Sequence, residues 1–145
     1  MTVDVRPTMI ISRPRRTVAE YMFDPGNDTE WTGGITASRP AQPGRLGVGA
    51  VVERDARFLG RTFTYTYAVT DARGDEMIEM TVERPFPMVI RYELADHERG
   101  CEVAIRATGQ PRGFFKLAGP LVAPRVRKSI QADLTRLRNT LQASP

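Results

Sequence analysis

Thr62-Phe63-Thr64-Tyr65-Thr66-Tyr67-Ala68-Val69 alternates with a period of two. In an extended chain, successive side chains point to opposite faces. Phe63, Tyr65, Tyr67 and Val69 therefore share one face, and Thr62, Thr64 and Thr66 share the other. This is a strand with one apolar side and one wet side, as in an antiparallel sheet that faces solvent. The next segments repeat the pattern. Ile78, Met80 and Val82 oppose Glu79, Thr81 and Glu83; Met88, Ile90, Tyr92 and Leu94 oppose Arg91 and Glu93; Val103 and Ile105 oppose Glu102 and Arg106.

Short turns divide these runs into antiparallel hairpins. Before the decisive stretch, Ala50 to Phe58 reads as a strand, turning at Leu59-Gly60-Arg61. After it come the turn Asp71 to Asp75, a strand Met77 to Glu83, the connection Arg84-Pro85-Phe86-Pro87, and a strand Met88 to Ala95. The turn Asp96 to Gly100 leads into a last strand, Cys101 to Thr108. Upstream, Ile35 to Arg39 is a short strand and Pro40 to Gly49 a loop. Val3 to Ile11 is an apolar first strand, and Pro14 suits the first turn of a helix with Val18, Tyr21 and Met22 on its apolar face. Asp24-Pro25-Gly26-Asn27 stops that helix; Asn27 or Asp28 is placed to cap a second short one ending near Trp31.

From about Phe114 the period becomes 3.6. Val122, Val126, Ile130, Leu134, Leu137 and Leu141 form one stripe of a long helix, kinked or broken near its start by Pro120 and Pro124. Helices segregated from an antiparallel sheet define the α+β class. The helix buries its stripe only against the sheet. A curved sheet wrapped round one helix leaves room for a cavity; side chains that meet the helix would instead fill it. Successive hairpin turns alternate between the two ends of a meander. Leu59 to Arg61, Arg84 to Pro87 and Gly109 to Gly113 thus share the end expected to hold the mouth, near Phe86, Phe114 and Phe115.

Size and composition bound the rest. The 145 residues suit one domain, 1–145, long enough to bury a core without disulfides. One cysteine fits a reducing compartment, and no signal peptide or membrane span is visible, so the expected location is cytoplasmic. A net charge of +4 is mild; Arg125, Arg127, Lys128, Arg136 and Arg138 near the C-terminus face one acid, Asp133. That excess is either a solvated helix face or a surface for an anionic partner. The basic stretches lack interleaved aromatics, so no nucleic-acid partner is expected.

Little in the sequence marks catalysis. His97 sits at a hairpin tip and Cys101 opens a strand; with one of each, no zinc set or Cys/His dyad forms, and neither a metal nor a cofactor is expected. Both residues are expected to be dispensable. Gly44 to Gly49 lacks the ending of a phosphate loop. Glu53, Asp55, Glu79, Glu83 and Glu93 fall mostly on the wet face, against a paired acid/base site. Arg54 alternates inward with Val52, Ala56 and Phe58. An unpaired charge there is costly, so its partner is a ligand group or a protein carboxylate, unless a bulge turns it to water.

The chain resembles the START-like polyketide cyclase/dehydrase and lipid-transport superfamily (SRPBCC). The resemblance rests on Ser12-Arg13-Pro14-Arg15-Arg16 with Val18 and Met22-Phe23, on Asp24-Pro25-Gly26-Asn27 followed by Trp31, and on the run Phe114 to Leu121 continuing through Ala132-Asp133-Leu134. It implies a helix-grip fold, a curved antiparallel sheet round the C-terminal helix, with a deep cavity between them. A pocket of at least about 300 Å³ is expected. Its candidate ligand contacts are Trp31, Arg54, Phe58, Phe63, Tyr65 and Tyr67, with Met80, Tyr92, Phe114 and Leu121. The expected role is to bind or carry a small hydrophobic molecule such as a lipid, an isoprenoid or an aromatic polyketide. The rival roles are a cyclase or dehydratase using Tyr65, Tyr67 or Arg54, and an interaction protein presenting the basic helix.

Overall fold

A computed structural model describes residues 2–143; of the expected domain, Met1, Ser144 and Pro145 lie outside the described residues. Eight strands form one antiparallel sheet: β1 (Val3–Val5), β2 (Thr8–Ile11), β3 (Ile35–Pro40), β4 (Val51–Phe58), β5 (Arg61–Arg73), β6 (Met77–Val82), β7 (Met88–His97) and β8 (Gly100–Gly109). Their order is β1-β8-β7-β6-β5-β4-β3, with β2 also on β8. Helices α1 (Arg15–Met22) and α2 (Asp28–Trp31) follow β2, and α3 (Phe114–Ala118) and α4 (Val122–Ala143) follow β8.

The first strand departs from the sequence reading. Val3 to Ile11 is two strands, because Pro7 lacks an N–H for the ladder. β1 pairs Ala107 to Gly109, β2 pairs Cys101 to Ala104, and the Ile105 N–H donates to the Pro7 carbonyl at 3.1 Å between them. β5 runs on to Arg73, past the turn expected from Asp71. A register shift between Val69 and Asp71 restarts the pairing with β6 and tightens the turn to Gly74–Glu76. β7 and β8 likewise extend to His97 and Gly100, leaving a two-residue turn. Gly100 must be glycine there. Its φ is +135°, and a Cβ would collide with the Ile11 carbonyl oxygen.

The α2 cap also differs. The Asp24 carboxylate accepts the Gly26 N–H at 2.9 Å and opens a 3₁₀ turn, Pro25–Asn27, that runs directly into α2. Asn27 makes no side-chain cap, and Asp28 turns inward.

The α4 stripe packs as its spacing dictates. Val122, Val126, Leu134, Leu137 and Leu141 are buried and Ile130 is partly buried. Enclosing the five contributes on the order of 10 kcal/mol, which offsets the ordering of the helix. The interruption before it is complete: Gly113 (φ 59°) precedes α3, and Gly119 (φ 39°) and Pro120 turn the chain through a 3₁₀ turn. Two apolar clusters result. The larger joins Phe23, Trp31, Tyr92 and the C-terminal half of α4; the smaller joins Val3, Val5, Phe86, Ala107, Phe115, Val122 and Val126.

Candidate functional site

Between these clusters lies a cavity of about 200 Å³, walled by the concave face of the sheet and by α4. Phe58, Phe63, Ile90, Tyr92 and Ile105 come from the strands, Phe115 from α3, and Val126 and Ile130 from α4. Each strand residue sits there by its alternation parity. Phe115 closes the end formed by the β4–β5 turn and the Arg84–Pro87 connection, its ring 5.9, 5.7 and 5.3 Å from Phe58, Phe63 and Phe86.

One wall is polar. Arg54 is 7% exposed and Asp28 2%. Arg54 Nε and Nη2 donate to the same Asp28 Oδ2 at 3.1 and 2.8 Å, and the Ser38 hydroxyl donates to that oxygen at 2.9 Å. Arg54 Nη1 donates to the Tyr65 hydroxyl at 3.2 Å. The guanidinium also lies over the Tyr67 ring, 4.7 Å from its centroid. Tyr65 thus accepts from a cation, which polarises its O–H and leaves the proton free to be donated. Of the arrangements open to Arg54, the structure shows the protein carboxylate: its charge is answered by Asp28.

Asp133 of α4 also borders the cavity. Its Oδ1 accepts the Gly33 N–H at 2.9 Å and is paired with Arg136, whose Nε donates to the Trp31 carbonyl at 3.0 Å. This clamp fixes the end of α2 on α4. A Cβ at Gly33 would meet the Arg136 guanidinium and displace it from this position. Burial raises the Asp133 pKa above 3.8, against the lowering effect of the Gly33 N–H and Arg136. Between that ordinary value and the raised one, the folded form holds a proton that the unfolded form has released, so stability falls as pH rises from about 4 through the raised pKa. Asp133→Asn lacks this titration. The variant's stability relative to the wild type is expected to rise with pH, in urea unfolding between about pH 4 and pH 7. A constant difference would contradict the assignment.

Six expected contacts reach the wall: Trp31, Arg54, Phe58, Phe63, Tyr65 and Tyr92. Four do not. Tyr67 and Met80 face inward as alternation requires, but they lie deeper and pack in the core. Their packing leaves a cavity smaller than the expected 300 Å³. Phe114 and Leu121 face solvent, because the glycines bounding α3 shift the helical phase and turn Phe115 and Val122 inward. Missed by the sequence reading were Asp28, Ser38 and Asp133. A signal for Asp28 existed: an inward Arg54 needs an anion, and the strand carboxylates face out.

Burial pushes the Tyr67 and Tyr92 pKa values up and keeps both phenols protonated. Burial also pushes Cys101 up to about 11. His97 Nδ1 accepts the Arg99 N–H at 3.0 Å in the β7–β8 turn, away from the cavity. Among the described residues, no three His, Cys, Asp or Glu side chains gather as a metal site. Two buried polar atoms, Trp31 Nε1 and the Tyr67 hydroxyl, have no hydrogen-bond partner among the described residues.

Residues 2–142 match the family described as polyketide cyclase / dehydrase and lipid transport. The chain belongs to that family. No curated protein matches it in sequence. Solved structures share its fold at low identity. The protein TTHA0849 from Thermus thermophilus superposes with a TM-score of 0.80 at 13% identity, covering 99% of each chain. The di-domain ARO/CYC BexL of the BE-7585A biosynthetic pathway gives 0.79 at 16% identity, over 99% of this chain and 51% of that one. Ara h 8.0201 gives 0.72 at 12%, over 99% and 100%. Family membership supports a ligand-binding or cyclase role. Among the described residues, no helix is long and apolar enough to cross a membrane.

Proposed function

We propose that this family member binds or carries a small apolar ligand bearing one hydrogen-bond acceptor, seated in the cavity with the acceptor at the Tyr65 hydroxyl. The observation that carries the reading is the Arg54-polarised phenol set into an otherwise apolar wall. Such a lining, with few oriented polar groups, is the usual make-up of a small-molecule site. The cavity's size favours one or two fused rings, or a short isoprenoid, over a long acyl chain. Binding without turnover is preferred to a cyclase or dehydratase because the charged cavity groups Arg54 and Asp133 are already engaged in ion pairs. A cytoplasmic setting suits its single thiol.

Trp31 is the only tryptophan and forms part of the wall, so its fluorescence reports occupancy. Titration with 2-acetylnaphthalene and 2-ethylnaphthalene tests the reading. The ketone is expected to bind roughly 5- to 10-fold tighter, as one hydrogen bond supplies about 1 kcal/mol. Tyr65→Phe should erase that preference while retaining the hydrocarbon. A preference that survives Tyr65→Phe removes Tyr65 from the site, and failure of both compounds to bind rejects the reading.

A further inference from the structure

The segment that carries Phe115, at one end of the cavity, has a surface unlike the rest of the molecule. Leu117 is 87% exposed, Leu121 62% and Phe114 37%. They are three of the five exposed large hydrophobics among the described residues, and they fall within eight positions. Pro120 is exposed between them. Scattered apolar residues need no explanation, but exposed ones gathered within one short segment mark an interaction site.

The charge there is one-sided. Between Glu102 and Asp133 the sequence has no acid. Arg112, Lys116, Arg125, Arg127 and Lys128 are all exposed, and none makes an ion pair among the described residues. Elsewhere the cations are mostly answered: Arg6, Arg39, Arg54, Arg91 and Arg106, for example, each hold a carboxylate. Arg61 adds a further positive charge at this end, its guanidinium 4.1 Å from the Phe114 ring centroid. Phe115, on the inner side of the same short helix, lines the cavity.

We infer that this face, from Arg112 to Lys128, docks the Phe115 end of the cavity on an anionic lipid surface. Leu117 and Leu121 insert among the acyl chains while the flanking cations sit at the headgroups. Exposed leucines framed by unpaired cations are the composition of a surface-lying segment. A nucleic acid would use the cations but gain nothing from leucines, which offer no face for base stacking. The docked orientation puts Phe115, which closes that end of the cavity, against the bilayer. The inference concerns the outer face only, so it stands or falls independently of what the cavity holds.

Sedimentation with vesicles tests it on the intact chain. Binding to phosphatidylcholine vesicles containing phosphatidylglycerol is expected to be at least about tenfold tighter than to phosphatidylcholine alone, and to weaken as salt rises. Leu117→Gln/Leu121→Gln, at exposed positions that leave the charge unchanged, should reduce that binding by about tenfold or more while the melting temperature holds. Lys116→Gln/Arg125→Gln should remove the preference for the anionic vesicles. Absence of vesicle binding overturns the inference, as does equal binding to both vesicle types. Anionic-vesicle binding that the leucine substitutions leave intact also overturns it. So does binding to a single-stranded oligonucleotide that survives those substitutions and exceeds vesicle binding, since the cations would then serve a nucleic acid.

Discussion

Asp28→Ala is expected to lower stability by about 3–5 kcal/mol, the cost of leaving a buried charge without its partner. Unbroken alternation places Arg54 with Val52 and Ala56 on the concave face, and no bulge in β4 relieves it, since the β4–β5 register runs continuously from Val51 to Phe58. A guanidinium stays charged at any physiological pH. In the wild type, two of its N–H groups meet one carboxylate oxygen, a third meets Tyr65, and the Tyr67 ring lies beneath it. Removing the carboxylate takes away the only anion in that set. It also strands the Ser38 hydroxyl, which donates to the same oxygen. Arg54→Met should cost a similar amount by orphaning Asp28. The double variant Asp28→Ala/Arg54→Met should regain much of the loss, because a neutral apolar pair needs no desolvation. Urea unfolding of the four proteins at pH 7 gives the coupling directly. Single losses under about 1 kcal/mol, or losses that simply add, would mean that water reaches the pair and that the polar wall is not preorganised.

This pair shows where the sequence is legible and where it is not. The inward direction of Arg54 follows from period-two alternation, a local rule that β4 obeys. Its partner comes from a four-residue helix separated from it by a loop and a strand, and no local rule joins them. The same division runs through the fold. The α4 stripe and the faces of β5 to β8 were readable because each is fixed by periodicity within one element. The break at Pro7, the bulge after Val69 and the phase shift round α3 were not, because each reflects how neighbouring segments meet. Phe114 and Leu121 show the consequence. One residue of phase moved both to the outside, and Phe115 took the inner position. Tyr67 and Met80 show a different gap: alternation sets the face a side chain takes but not its depth along the strand.

Depth along β4 also selects the position for a direct challenge to the cavity. Ala56 lies between Arg54 and Phe58, pairs with Phe63 across the β4–β5 ladder, and contributes a small side chain to the cavity wall. Ala56→Phe places a ring in the space a ligand would use. A bound bicyclic ligand burying roughly 250 Å² of apolar surface gains about 6 kcal/mol at ~25 cal/mol per Å². A ring that takes half of the contact surface removes about 3 kcal/mol, or roughly 100-fold in affinity. The stability effect has the opposite expectation. Filling a void restores contacts that the wall lacks, so the unfolding free energy should hold within about 1 kcal/mol or rise. Overpacking a filled core would instead cost about 1–3 kcal/mol. The two measurements, Trp31 fluorescence titration with 2-acetylnaphthalene and urea unfolding, therefore discriminate. Lost affinity with retained stability places the ligand in this cavity. Retained affinity would put the ligand elsewhere on the protein, and a large loss of stability would show that the space beside Ala56 is already occupied by the wall's own side chains.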